Sequence, residues 1–246
     1  MTLRVAVLGA AGRMGRAVCD AVRAAPGLEL VAEVKDGPAI ESVADAGADV
    51  AVDFTVAPSA MANARWCAAN GVHAVIGTSG LNDEEIAELD ALFGSSEPNA
   101  VLAANFAIGA VLMMHFAAIA APHFETGEIV EMHHDTKIDA PSGTAIRTAE
   151  MMAAASDAWA ADPTEHASVV PGARGGLGAG RIPIHALRVR GAVAHQEVVL
   201  GTTGQTLTIR HDTTDRTAFM PGVLLAVREV GTRPGLTIGL EPLLGL

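Results

Sequence analysis

Positive charge is scarce in this 246-residue chain: 16 Lys and Arg stand against 28 Asp and Glu, for a formal net charge of −12. No basic stripe offsets that balance, which argues against a general nucleic-acid role and leaves any anionic ligand to be caught by a local cluster of donors. Cysteine is nearly absent. Cys19 and Cys67 stand alone, without metal or redox spacing, as suits packing residues in a reducing compartment. Long hydrophobic runs are also missing, although 50% of the residues are hydrophobic. Gly and charge break the apolar stretches before any could span a bilayer. The opening M-T-L-R-V-A-V-L-G enters a strand at once and lacks the parts of a signal peptide, so a cytoplasmic protein is expected. No repeat or low-complexity tail is evident.

What is present begins with a strand pattern over 3–8 followed by G-A-A-G-R-M-G (9–15) and a helical run. A glycine-rich strand-to-helix turn offers backbone N–H groups to a pyrophosphate at the helix start, and its position at the first such turn matters more than its G-x-x-G-x-x-G spelling. By itself it stays balanced against a tight structural turn. A second strand, 28–34, ends at Lys35 and Asp36, about where an acid would meet an adenosine ribose or a cation a 2′-phosphate. Both signs sit there, with Arg13 a second cation and Glu33 a second acid. Further strands over 48–55, 72–80 and 100–106 alternate with helices from Pro58 to Asn70 and from a cap at Asn82. This is a parallel sheet with a ligand crevice at the strand C-terminal edge.

From Ala107 the pattern changes. An apolar helix leads to a strand over 127–132, and residues 156–182 form a long Gly-rich loop. Three strand-like runs then follow (182–189, 195–200, 206–211), whose close turns predict antiparallel pairing. A helix from Asp215 and a terminal extended segment from Pro234 close the chain.

Between these halves lies E-M-H-H-D-T-K-I-D-A-P-S-G-T-A-I-R-T (131–148), which sets two histidines and a lysine beside a helix start. Asp139 reads as a cap of that helix and Pro141 as part of its first turn. Backbone N–H groups of Ser142, Gly143 and Thr144 suit a carboxylate, Lys137 supplies charge or a proton, and a histidine is a natural general acid. The plainer alternative is a solvated loop with two surface histidines and an ordinary cap. Zinc is disfavoured, because neighbouring strand histidines diverge and neither cysteine is near, so no metal is assigned.

These motifs resemble one family, the bacterial dihydrodipicolinate reductases, also described as 4-hydroxy-tetrahydrodipicolinate reductases, of the diaminopimelate and lysine pathway. The resemblance spans essentially the full chain and is carried by 9–15, D-F-T (53–55), G-T-S-G (77–80), N-F-A-I-G (105–109), 131–145 and H-D-T-T-D-R-T-A-F-M-P-G-V (211–223). It implies an α/β protein: a Rossmann-like dinucleotide domain from 1–106 and 216–246, and an α+β substrate domain with a mixed or antiparallel sheet from 107–215. It also implies an oxidoreductase using NADH or NADPH on a cyclic imine-like dicarboxylate, in a homotetramer. By resemblance His133 and Lys137 are catalytic, and His134, Ser142, Gly143 and Thr144 bind substrate. Gly9, Ala10, Ala11, Gly12, Arg13 and Met14 match the pyrophosphate turn. Phe54 with Gly77, Thr78 and Ser79, and the loop Ala103, Ala104, Asn105 and Phe106, complete the cofactor side. The implied lobes would close over substrate about Gly109 and 213–215. A dinucleotide-sensing protein without catalysis, or another dehydrogenase on the same scaffold, are the alternatives.

Overall fold

The computed structural model describes residues 2–35, 40–94, 97–161 and 169–246. The chain divides into two compact units, one of residues 1–108 with 216–246, the other of 109–215.

In the first unit β1 (Leu3–Leu8), α1 (Arg13–Ala24), β2 (Leu28–Val34), α2 (Glu41–Asp45), β3 (Val50–Asp53), α3 (Ala57–Asn70), β4 (His73–Ile76), α4 (Asp83–Phe93) and β5 (Ala100–Leu102) alternate. The strands form a parallel sheet in the order β11-β5-β4-β3-β1-β2, with β11 (Leu236–Ile238) returning from the chain end to pair with β5. Strands buried on both faces need apolar residues at successive positions, which explains the V-A-V-L run that ends β1 and the V-A-V run of β3. One face packs Leu8, Ala51 and Ile76 against Met61 and Cys67 of α3 and Leu89 and Phe93 of α4. Both cysteines are buried, and burial pushes the Cys19 thiol up to about 11 and the Cys67 thiol up to about 12, so neither is a ready nucleophile. Helix α4 starts in a full capping box: Asn82 accepts from the Glu85 N–H at 2.9 Å while Glu85 accepts from the Asn82 N–H at 2.8 Å. The strand order reverses at β1, which lies between β2 and β3, and a doubly wound sheet opens its ligand crevice at such a point.

The second unit contains α5 (Ile108–Ala120), β6 (Thr126–His133), α6 (Gly143–Ala155), β7 (Gly176–Leu177), β8 (Pro183–Arg188), β9 (Ala194–Thr202) and β10 (Gln205–Thr213). Its sheet order is β10-β9-β6-β8-β7. The antiparallel expectation holds for β9 with β10 but fails for β8 with β9. β6 inserts between them, parallel to β8 and antiparallel to β9. The cause is non-local: β6 buries Ile129 and Glu131 on one face and pairs along both edges, which short turns further on cannot reveal. The Gly-rich loop is likewise not wholly irregular, because Gly176–Leu177 pairs with β8, a strand too short to show periodicity. One face of the sheet packs Ile129, Ile184, Val198 and Leu200 against Ala117 of α5 and Ala149 and Met152 of α6. On the other face Val130, Met132 and Val199 stay half-exposed and Leu187 is 41% exposed. After this unit the chain returns through α7 (Met220–Glu229) and, past β11, ends in the short α8 (Glu241–Leu244). The helix expected from Asp215 begins at Met220, with a 3-10 turn over Arg216–Phe219 before it.

Candidate functional site

The turn after β1 is closed by backbone. The N–H groups of Gly9 and Ala10 both donate to Val34 O, at 2.9 and 3.0 Å, and the Gly12 N–H donates to Gly9 O at 2.9 Å. Gly9 has φ +79°, and a Cβ on Gly15 would stand 2.1 Å from Gly9 O, so these glycines are fixed by geometry. Gly12 is the residue before α1, and the first-turn N–H groups of α1, from Arg13 and Met14 onward, have no acceptor within the helix. That is the cradle a pyrophosphate requires, so the turn fits a dinucleotide. Ala11 O is held by Arg16, whose Nε and NH2 donate to it at 2.9 and 2.6 Å. Arg13 and Lys35 are both exposed. Glu33 is already taken, because its carboxylate accepts from Arg23. Asp36 lies outside the described residues.

Along the same strand edge Phe54, Gly77 and Phe106 meet. The two phenyl rings have centroids 5.6 Å apart, and a Cβ on Gly77 would fall 2.2 Å from the Phe54 ring. Asp53, 3% exposed, gathers the loops: it accepts from the Thr55 N–H at 2.8 Å, Asn63 Nδ2 at 2.7 Å and Thr78 Oγ1 at 3.0 Å. Thr78 therefore turns inward while Ser79 stays exposed. The Ala103 N–H donates to Ile76 O at 3.0 Å, Ala104 is exposed, and Asn105 Oδ1 caps the Ala107 N–H at 2.9 Å.

In the second unit β6 ends at His133, and His134 already belongs to the loop, where its Nδ1 meets Thr136 Oγ1 at 2.8 Å. The His133 ring lies 2.6 Å from the carboxylate of Glu131 through Nδ1. Glu131 is fully buried and also accepts from both Arg188 terminal nitrogens at 2.9 Å and from the Ser142 N–H at 3.1 Å. Burial alone would raise this carboxyl, but the hydrogen bonds from Arg188 and His133 outweigh it and hold it below the usual carboxylate range. For His133 burial wins: it lowers the imidazole against the pull of Glu131, and the charges of Lys137 and Arg188 add to the lowering. Lys137 Nζ pairs with Asp139 at 2.7 Å, and that hydrogen bond is the main reason the Asp139 carboxyl is lowered.

Three expectations change here. Asp139 is no helix cap, because its carboxylate belongs to Lys137. Ser142 is the cap, its Oγ accepting from the Ala145 N–H at 3.2 Å, and Pro141 lies before the helix rather than in its first turn. The Ser142 N–H, expected to face a ligand, is instead donated to Glu131, and the residue is 4% exposed. Gly143, by contrast, is exposed, with nothing within 4 Å of a Cβ built on it. Thr144 is half-buried beside it.

Two residues were missed as participants. Glu131 was legible, since it stands two positions before His133 on a strand and so shares its face. Arg188 was not. It reaches Glu131 because the β6–β8 register sets it beside His133, a pairing fixed by strands 55 positions apart in sequence.

Comparison with known proteins gives the family. Residues 3–106 match the dihydrodipicolinate reductase N-terminus model and residues 109–244 the C-terminus model. The chain is 51% identical to a 4-hydroxy-tetrahydrodipicolinate reductase of Mycobacterium ulcerans, over 99% of this chain and 100% of the relative. It is 52% identical to the protein of the same name from Streptomyces coelicolor, over 99% and 98%. A dipicolinate-bound dihydrodipicolinate reductase from Paenisporosarcina sp. TG-14 superposes with a TM-score of 0.87 at 38% identity, covering 98% of this chain and 99% of that one. An amine dehydrogenase from Mycobacterium smegmatis, at 15% identity and a TM-score of 0.62, shares the fold alone. With both family models matched end to end and relatives at half identity over their whole length, the chain belongs to the dihydrodipicolinate reductase family of NAD(P)H-dependent oxidoreductases.

Proposed function

We propose that His133 and Lys137 handle the proton, and that His134, Gly143 and Thr144 hold a substrate carboxylate, in the reaction of the chain's family: reduction of 4-hydroxy-tetrahydrodipicolinate to tetrahydrodipicolinate, in which a hydride and a proton are added and the 4-hydroxyl leaves as water. The observation that carries this reading is the convergence, in one loop, of a half-buried imidazole, an ammonium and an open helix start. An exposed Gly143 lets an anion approach the dipole and the N–H groups of α6 without meeting a side chain. A dicarboxylate offers Lys137 the same ligand chemistry that Asp139 now provides. Gly9, Ala10, Ala11, Gly12, Arg13 and Met14 would hold the pyrophosphate of NADH or NADPH, with Phe54, Gly77 to Ser79 and Ala103 to Phe106 toward the nicotinamide. When bound, the nicotinamide supplies the hydride that reduces the ring. The protein's own part is to orient the ring through its carboxylate and to provide the proton that completes the reduction.

We propose a homotetramer joined through the second sheet, and what supports it is that sheet's half-exposed face, which carries apolar Val130, Met132, Leu187 and Val199. Light scattering of the purified protein tests this, and a monomer would overturn it. For the activity, loss of nicotinamide absorbance on adding the enzymatically generated cyclic substrate is expected. Cofactor binding without turnover would leave the sensing alternative in place. No described helix is long and apolar enough to cross a membrane.

A further inference from the structure

Glu131 poses a problem of its own. A fully buried carboxylate paired with an arginine contributes little net stability, since desolvation consumes most of the attraction. Its consequence must be sought in what it fixes. One oxygen, Oε2, takes His133 Nδ1 at 2.6 Å and Arg188 NH1 at 2.9 Å; the other, Oε1, takes Arg188 NH2 at 2.9 Å and the Ser142 N–H at 3.1 Å. Arg188 is itself anchored, NH1 donating to Leu187 O at 2.7 Å and NH2 to Asp139 O at 2.6 Å. An ionised carboxylate can only accept, so the proton of a neutral His133 must sit on Nδ1, leaving Nε2 to give and retake the reaction proton.

We propose that Glu131, with Arg188 as its countercharge, is a positioning residue: its carboxylate locks the His133 tautomer and, through the Ser142 N–H, sets the start of α6 in register with that imidazole. One side chain then fixes both the proton-handling ring at the end of β6 and the anion-binding helix entrance, and Arg188 binds the loop between them at Asp139. This rests on the assignment of His133 to the proton step.

The tautomer is read by two-bond ¹H–¹⁵N correlation spectra of the intact protein with ¹⁵N-labelled histidine, His133 being assigned by its absence from a His133→Gln sample. Wild type is expected to show Nδ1 protonated and Nε2 bare; the opposite tautomer overturns the proposal without any variant. In Glu131→Gln the lock is lost: the Nε2–H form should appear and kcat should fall roughly a hundredfold or more, as when a triad aspartate becomes an amide. NADH affinity should be retained. Among the described residues the charges that act on His133 are then Lys137, itself paired with Asp139, and Arg188, both disfavouring imidazolium, so the limb on which activity falls with rising pH should move to lower pH. A merely structural role would leave tautomer and limb unchanged. Should Glu131→Gln not fold because Arg188 is left uncompensated, Glu131→Gln with Arg188→Met removes that charge and carries the same tautomer and kcat expectations, with Lys137 alone left to shift the pH limb. A kcat within about twofold of wild type, or an unchanged tautomer, in either variant overturns the proposal. Wild type without turnover but with the Nδ1–H tautomer would refute the proposed reaction and leave the lock standing.

Discussion

The two candidate sites are built by different means. In the first unit the candidate site is backbone: N–H groups at the start of α1, a turn that admits no Cβ at Gly9 or Gly15, and Gly77 pressed against the Phe54 ring. In the second, it is ionisable side chains, with His133, Glu131, Arg188, Lys137 and Asp139 joined in two charged groups. A glycine accordingly means opposite things in them. Gly15 is glycine because the protein fills the space where a Cβ would be; Gly143 stands before open space. Substitutions that damage the first site should act through packing, and those that damage the second through chemistry.

The sharpest test is the chemical one. His133→Gln or Lys137→Met should lower kcat by about 10² to 10⁴, the usual share of general acid–base help, or roughly 3 to 5 kcal/mol of barrier. Isothermal titration should find NADH affinity little changed, and near-normal turnover in both variants would remove them from the proton step. Next comes packing. Gly15→Ala forces a Cβ to 2.1 Å from the Gly9 carbonyl oxygen, backbone that cannot turn aside, so a loss near 3 kcal/mol is expected, at the upper end of overpacking costs. Differential scanning calorimetry reads it as a lower Tm, and an unchanged Tm would mean that the turn is softer than its geometry. Smaller again is Gly143→Val. The protein has room for the side chain, so Tm should hold while KM for the dicarboxylate rises about ten- to a hundredfold, the value of one or two charge-assisted hydrogen bonds. A fall in Tm comparable to that of Gly15→Ala would erase the contrast between the two glycines.

How far the sequence discloses each unit follows the same division. The parallel sheet, its alternating helices and the Asn82 cap could be read locally, because doubly buried strands and capping residues write their requirements into consecutive positions. The loop from Glu131 to Thr144 was legible as a set of residue types, and its resemblance to a family was decisive for the reaction. What failed was everything fixed at long range. Whether Ser142 has an N–H to spare depends on Glu131, which Arg188 holds in place from β8, whereas the pairing of Asp139 with Lys137 is local and competes with capping only once the loop is folded. The insertion of β6 between β8 and β9 is the same failure at the scale of the sheet, since short turns report neighbours in sequence and not in space.

Cofactor choice is the smallest expected effect, and it tests whether the first unit uses side-chain charge at all. Arg13 and Lys35 are exposed, and under the proposed cofactor reading they are the cations that would meet a 2′-phosphate. On the other side of the balance, Glu33 is engaged by Arg23 and so is a poor partner for a ribose diol. Two cations then favour NADPH and the acid Asp36 favours a free ribose diol; one such contact at a solvent-screened position is worth about 1 kcal/mol or less, and opposing contacts nearly cancel. The backbone cradle, common to both cofactors, supplies the rest of the binding and does not discriminate. Dual use is therefore expected, with a preference within roughly tenfold. Because exposed charges are screened over about 10 Å at 0.1 M salt, NADPH affinity should fall faster with ionic strength than NADH affinity. Arg13→Ala with Lys35→Ala should abolish that difference while leaving NADH binding nearly unchanged. Titrating both cofactors at low and high salt decides it: a hundredfold preference for either, or parallel salt responses, would show that discrimination lies elsewhere than in these two cations.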